Sequence, residues 1–161
     1  MFHNKPITHK KNLGLDIVEE ARKELISKIC FMPINQIYPH EQILVERSSS
    51  MLNYISSLHP WTVLPSILIC EKTFVIIDSH HRYYVLKNLG YKNVPVSYVK
   101  YKSDKIITHD IQDKMLEKDK IVELGLKNKL LKPKSTMHHC MYDQHIFPVI
   151  LLSDLRAIKY E

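Results

Sequence analysis

The stretch FVIIDSHHRYYVLKNLGYKNVPV, Phe74 to Val96, leaves few folds open to this chain. It follows VLPSILICEKT, so two short apolar runs flank Glu71-Lys72 and predict a hairpin of strands. The second run ends at Asp78. The helix after Ser79 carries Tyr84, Val85, Leu86 and Leu89 as its apolar set and stops at Gly90, a residue suited to the left-handed position past a helix. NVPVSYVKY then returns as a strand. A hairpin, a helix and a returning strand in so short a stretch need a sheet with a helix laid on it. The expected class is therefore a compact mixed α/β domain.

The remaining elements fit that frame. Ile17, Val18, Ala21, Leu25, Ile26 and Ile29 recur at helical spacing, with Asp16 near the N-terminal end. CFMPINQIYPHE reads as a short extended piece ending in a Pro-His-Glu corner. ERSSSMLNYISSLH reads as a second helix that buries Met51, Leu52, Ile55 and Leu58, with Ser48, Ser49 and Ser50 at its start. Asp110 to about Lys129 carries helical signals interrupted at Gly125. HIFPVILL reads as a further strand, followed by a short helix opened by Ser153 and Asp154. At 161 residues one domain is expected, spanning 15–161 behind a flexible tail at 1–14.

Charge and composition narrow the partners. The net charge of +6 and pI near 9.1 attract polyanions weakly, and the basic residues are scattered apart from LKNKLLKPK. A nucleotide or a phosphorylated metabolite satisfies that charge as well as a nucleic acid does. No apolar run approaches the roughly eighteen residues of a membrane span. The opening MFHNKPITHKKNLG lacks the apolar stretch of a signal peptide, so a cytoplasmic protein is expected. Cys30, Cys70 and Cys140 lie far apart with no C-x-x-C pair, as reduced, buried thiols would.

Three polar constellations carry the candidate chemistry. Asp78-Ser79-His80-His81-Arg82 sits between a predicted strand and the first turn of a helix, where unpaired N–H groups and the dipole favour an anion. Arg82 suits phosphate oxygens, the histidines can add donors, and Asp78 can hold a divalent cation or orient a histidine. The blander assignment makes Asp78 or Ser79 a helix cap with solvated histidines. Pro39-His40-Glu41, with Glu46 and Arg47 close behind, puts a carboxylate at a strand end, where a dry setting makes it a general base. Its plainer alternative is a surface turn. Lys132 to His139, KPKSTMHH, offers two lysines, a Ser-Thr pair and two histidines as a phosphate cradle or a solvated loop. HHC followed by His145 lacks the spacing of a structural zinc site.

Taken in order, P-H-E, D-x-H-H-R at a strand–helix junction and K-x-x-P-K-S-T-x-H resemble the ParB/sulfiredoxin-like superfamily, and within it the free serine kinases. The resemblance runs from about Met32 to Leu155. It implies a ParB/sulfiredoxin-like mixed sheet with surrounding helices. It also implies phosphoryl transfer from ADP or ATP, with Mg²⁺, to the hydroxyl of free L-serine. Glu41 matches the family's base. Asp78, Ser79, His80, His81 and Arg82 match its phosphate and metal contacts, with Asp78 on the metal and Glu41, Asp78 and His80 as the catalytic set. Lys134, Ser135, Thr136 and His138 match its late phosphate loop. Two departures stand out: the family glycine is Ser79, and Met137 stands where arginine is common. Sulfiredoxin itself is a poor match, since its G-C-H-R cysteine has no counterpart here. ParB proteins that segregate DNA carry a G-E-R-R-type motif and downstream DNA-binding domains, which this sequence does not show. A non-catalytic nucleotide sensor and a ParB-like nucleic-acid-associated module are the alternatives, with nucleic acid the less favoured partner.

Overall fold

The computed structural model describes residues 13–161, with side chains from Asp16 onward. The expected tail at 1–14 therefore lies almost wholly outside the described residues. Leu13–Leu25 is helix α1, followed by strand β1, Ile26–Pro33, and a single 3-10 turn at Ile34–Gln36. Helix α2 is Val45–Leu58, β2 Trp61–Pro65, β3 Ile67–Cys70, β4 Ile76–Asp78, helix α3 His80–Asn88 and β5 Asn93–Val99. Then come β6, Ile106–His109, helix α4, Lys118–Leu126, β7, Met137–Tyr142, β8, His145–Pro148, a 3-10 turn at Val149–Leu152, and β9, Leu155–Lys159.

The central sheet has the order β1-β5-β3-β4, with β3 and β5 parallel and the two outer pairs antiparallel. All four β3 residues are buried, as expected of an inner strand covered on both faces. The two-residue period then sorts them into two cores. Ile67 and Ile69 join Ile55, Ile76, Tyr83, Leu86, Val94 and Val96 on one face, under α2 and α3. Leu68 and Cys70 join Ile17, Ala21, Leu25, Ile77, Val99, Phe147 and Leu152 on the other, under α1 and the 147–152 segment. A β2–β9 ribbon and a β6-β7-β8 sheet complete the domain.

The hairpin about Glu71-Lys72, helices α2 and α3, and the returning strand β5 form where the sequence places them. Gly90 takes φ +86° just past α3. Cys30, Cys70 and Cys140 are free thiols, the last two buried and Cys30 half-buried.

Other elements differ. Helix α1 stops at Leu25, and Ile26 and Ile29 belong to β1, which pairs with β5 instead of continuing the helix. On α2 only Ile55 is fully buried; Met51 packs at the core's edge, while Leu52 and Leu58 are exposed. Gly125 does not interrupt a helix. It lies within α4, which begins only at Lys118, and a Cβ there would come within 2.7 Å of a Val75 methyl. HIFPVILL is strand only to Pro148 before the 3-10 turn. Ser153 and Asp154 open β9, not a helix: the Ser66 N–H donates to the Asp154 carbonyl at 2.8 Å, and the Asp154 N–H donates to Ser66 Oγ at 3.0 Å.

Candidate active site

Strand β4 delivers Asp78 to the start of α3, and Ser79 makes the corner at φ 90°, ψ 34°, a left-handed geometry uncommon outside glycine. The Ser79 side chain does not cap the helix. Instead its Oγ accepts from Arg82 Nη1 at 2.7 Å, and the same nitrogen donates to the Ser66 carbonyl at 3.1 Å. Arg82 is buried, and burial lowers its pKa to about 10 against the opposing charge of Asp78. With no side-chain cap, the first N–H groups of α3 stay open to a ligand.

The Pro-His-Glu loop lies across this corner. The Tyr38 N–H donates to the Phe74 carbonyl at 3.0 Å, and the Ile76 N–H donates to the Tyr38 carbonyl at 2.8 Å. The His40 N–H then donates to His80 Nε2 at 3.1 Å, and the Leu44 N–H to His81 Nε2 at 3.0 Å. An amide can only donate, so each Nε2 is a bare lone pair. Both imidazoles act as acceptors that lash one loop to one helix. Burial holds His80 well below the ordinary histidine range and lowers His81, where the charges of Arg47 and Lys134 add to the effect.

The late loop closes the site from the other side. Leu131 pairs with the Pro-His-Glu loop, its N–H donating to the His40 carbonyl at 2.9 Å and its carbonyl accepting the Gln42 N–H at 2.9 Å. Glu41 then seizes the loop beyond. Its Oε1 accepts the Lys134 N–H, and its Oε2 accepts the Thr136 N–H at 3.2 Å and the Thr136 hydroxyl at 2.7 Å. The hydroxyl's one proton goes to Glu41, so His40 Nε2, 3.0 Å from Thr136 Oγ1, is the donor of that pair. Burial lowers His40 to about 4. Burial also raises the Glu41 and Asp78 carboxyls, and the nearby charge of Asp78 adds to the rise at Glu41.

Strand β7 supplies the remaining wall. His138 is buried, its Nε2 is 2.8 Å from the Tyr101 hydroxyl, and burial holds it neutral. His139 Nδ1 lies 2.8 Å from His109 Nε2, with ring centroids 4.9 Å apart and planes at 23°. Nitrogens that close with centroids that far apart require rings meeting edge to edge, so this is a hydrogen bond and not a stack. His109 Nδ1 faces the Asp110 carbonyl at 3.2 Å. A carbonyl only accepts, which puts the proton on that nitrogen.

These walls enclose a cleft of about 350 Å³. Of the residues singled out in the sequence, Glu41, Asp78, Ser79, His80, His81, Lys134, Thr136 and His138 all line it. Arg82 does not; it is set back beneath the corner, toward Ser66. Ser135 also stays out of the lining, its hydroxyl bonded to the Lys132 carbonyl of its own loop. The rest of the lining is Arg47, Ile77, Met137, His139 and Pro148. Arg47 had a sequence signal, since it follows Pro-His-Glu closely on a helix start. His139 had one only as a neighbour of His138. Pro148 reaches the site through β8, where it sits opposite His139, and no local pattern announces that.

Among the described residues no group of three or more His, Cys, Asp or Glu side chains is arranged to hold a metal. The donor set fits Mg²⁺ in another form. Mg²⁺ is commonly held by one or two carboxylates together with substrate phosphates, and Asp78 offers such a carboxylate beside an open helix start.

No family model matches the sequence. A ParB-like protein of Sulfolobus acidocaldarius is 30% identical over 74 residues, which are 44% of this chain and 34% of that protein. The match thus spans about a third of the relative's length. A free serine kinase in complex with AMP superposes with a TM-score of 0.61 over 80% of this chain and 95% of its own, at 14% identity. SbnI with a C-terminal truncation, from Staphylococcus aureus, superposes with a TM-score of 0.55 over 77% of this chain and 88% of its own, also at 14% identity. The fold is the ParB/sulfiredoxin-like one. In this domain the three polar loops, far apart in the sequence, meet at a single cleft. No helix among the described residues is long and apolar enough to cross a membrane.

Proposed function

We propose that this protein is a small-molecule kinase that transfers the terminal phosphoryl group of ADP or ATP to the hydroxyl of free L-serine, giving O-phosphoserine. The observation that carries the reading is the grip of Glu41 on Lys134 and Thr136, in the same cleft as the open start of α3. The shared fold supports it, since free serine kinases of this fold hold AMP and ADP, in glutamate variants among others.

In this mechanism the nucleotide's terminal phosphate rests against the first amides of α3 and the Lys134 side chain. Phosphoryl transfer passes through a loose, charge-spread transition state, so the protein's task is positioning and electrostatics. Mg²⁺, held at Asp78 and the phosphates, supplies charge neutralisation when bound. The serine hydroxyl oxygen forms the new bond to phosphorus, the bond to the nucleotide's bridging oxygen breaks, and the hydroxyl proton passes to Glu41. An ionised carboxylate has about four acceptor sites. Three are filled by the 134–136 loop, and the fourth is on Oε1, which receives only the Lys134 N–H. That site takes the proton.

The direct test is incubation with serine, Mg²⁺ and ADP or ATP, followed by mass detection of phosphoserine. Glu41→Gln keeps the shape but replaces one acceptor oxygen with a donor amide facing backbone N–H groups. Turnover should drop about a hundred- to ten-thousandfold, and the loop it anchors should loosen. An unchanged rate in E41Q rules out the base.

A second reading, a nucleotide sensor without turnover, draws on two observations. Arg82 is committed to Ser66 and Ser79, and residue 137 is methionine. Melting temperatures raised by nucleotide, with no phosphorylated product from any amino acid, would favour the sensor over the kinase.

A further inference from the structure

The cleft raises a specific problem of charge. A nucleotide's terminal phosphates call for a guanidinium fork, and the sequence offers Arg82 for it. Yet Arg82 Nη1 is bonded to Ser66 and Ser79 beneath the corner, and the side chain is buried. The late loop supplies no arginine either, because Met137 lines the cleft at that point. One guanidinium does face the space. Arg47, in the first turn of α2, lines the same cleft as Lys134, Ser79 and Thr136.

Nothing in the packing explains Arg47 there. Its side chain is exposed, and it makes no ion pair and no side-chain hydrogen bond with any described residue. A cation in the first turn opposes the helix dipole, where a negative charge such as Glu46 is the stabilising choice. The position is fixed nonetheless. Leu44, which precedes α2, donates its N–H to His81 Nε2 at 3.0 Å, so the start of α2 is tied to the start of α3. Arg47, His81 and Lys134 line the same cleft, and both cations lower the His81 pKa by their charge.

We propose that Arg47 is the phosphate-gripping guanidinium of this cleft, working with Lys134 on the terminal phosphates of the nucleotide while Arg82 serves as an internal brace. The inference rests on the nucleotide reading above. Its chemistry is that of a planar fork matched to two phosphate oxygens, which a lysine's point charge reproduces only in part.

The test is calorimetric titration of the intact chain with ADP, AMP and adenosine, comparing the parent protein with Arg47→Ala and Arg47→Lys. ADP affinity should fall about ten- to a hundredfold in R47A, with partial recovery in R47K. Adenosine, which has no phosphate, should bind all three alike. The unliganded melting temperature of R47A should be no lower than the parent's, because no native contact is lost and an unfavourable charge leaves the first turn of α2. Parental ADP affinity in R47A overturns the role of Arg47 and leaves the nucleotide reading standing. Equal losses for ADP and adenosine also overturn it, since the residue would then act on the nucleoside or the fold. Failure of the parent protein to bind ADP removes both proposals together.

Discussion

Asp78–Arg82 and Lys132–His138 look alike in the sequence, each a run of cations, hydroxyls and histidines suited to phosphate, but the molecule holds them by opposite means. In the first, the side chains are the fasteners. His80 and His81 accept amides from the Pro-His-Glu loop, Arg82 braces Ser66 and Ser79, and the backbone amides of α3 are what remain for a ligand. In the second, the backbone is fastened by the carboxylate of Glu41, Lys134 sits at φ 58°, and its side chain is left outward. A polar side chain at a functional junction is therefore not, by its type, a ligand contact. The first wall spends its charge on rigidity and the second keeps its charge for the cleft.

The largest way to break this comparison is acid. His40, His80 and His138 are held neutral by burial, whereas in the unfolded chain each takes a proton near pH 6.5. Between pH 6.5 and the folded values, the unfolded state binds more protons, so stability rises with pH and is lost as pH falls. His40 alone, moving from 6.5 to about 4, accounts for about 3 kcal/mol across that window. Glu41 and Asp78 act in the opposite sense, since their raised values favour the protonated folded form and cost stability as pH climbs past their unfolded values. The histidines should dominate. Urea midpoints should decline from pH 7 to 4, and hydrogen-exchange protection of the His40 and Leu44 amides should fade in step. A flat or rising midpoint over that range would mean that the imidazoles are not the fasteners.

The same contrast explains how far the sequence could be read. The hairpin, α3, Gly90 and β5 were legible because local period and turn chemistry agree with their burial. That Asp78 and Glu41 would come to one cleft was legible because ionisable groups at strand and helix ends have few packing uses. The misreadings share one physical origin, long-range pairing. Ile26 and Ile29 continue a helical spacing, but pairing with Val99 and Ser97 on β5 claims them for a strand whose burial does not alternate. Ser153-Asp154 resembles a helix cap until Ser66, far away in the chain, takes both backbone groups of Asp154. MHHCMY has little strand character of its own and becomes β7 only between β6 and β8. The direction of Arg82 depends on the Ser66 carbonyl in the same way.

A mid-sized effect sharpens the contrast at Arg82. Arg82→Met removes a buried charged donor from Ser66 and Ser79 while keeping apolar volume. The unliganded protein should lose about 1.5–3 kcal/mol in urea unfolding. The loss should spread to β9, because Ser66 also holds Asp154 and pairs with Ser97 at 2.6 Å. If R82M keeps the parental stability and loses only nucleotide affinity, Arg82 is a ligand contact after all and the brace is misassigned.

The smallest effect is expected at the corner itself. Ser79 holds a left-handed backbone that costs a residue with a side chain about 1–2 kcal/mol, and glycine removes that cost. Ser79→Gly also removes the hydroxyl that receives Arg82 Nη1 and makes the unfolded chain freer, and both changes act against stability. The opposing contributions are similar in size, so S79G should unfold within about 1 kcal/mol of the parent. Affinity should move more visibly than stability. With no Cβ at the corner, the open amides of α3 can approach a phosphate more closely, and ADP should bind S79G tighter than the parent. Tighter ADP binding with unchanged adenosine binding would assign phosphate to the α3 corner. Weaker ADP binding in a stably folded S79G would mean instead that the serine hydroxyl takes part in holding the ligand, and that the first wall is not purely a brace.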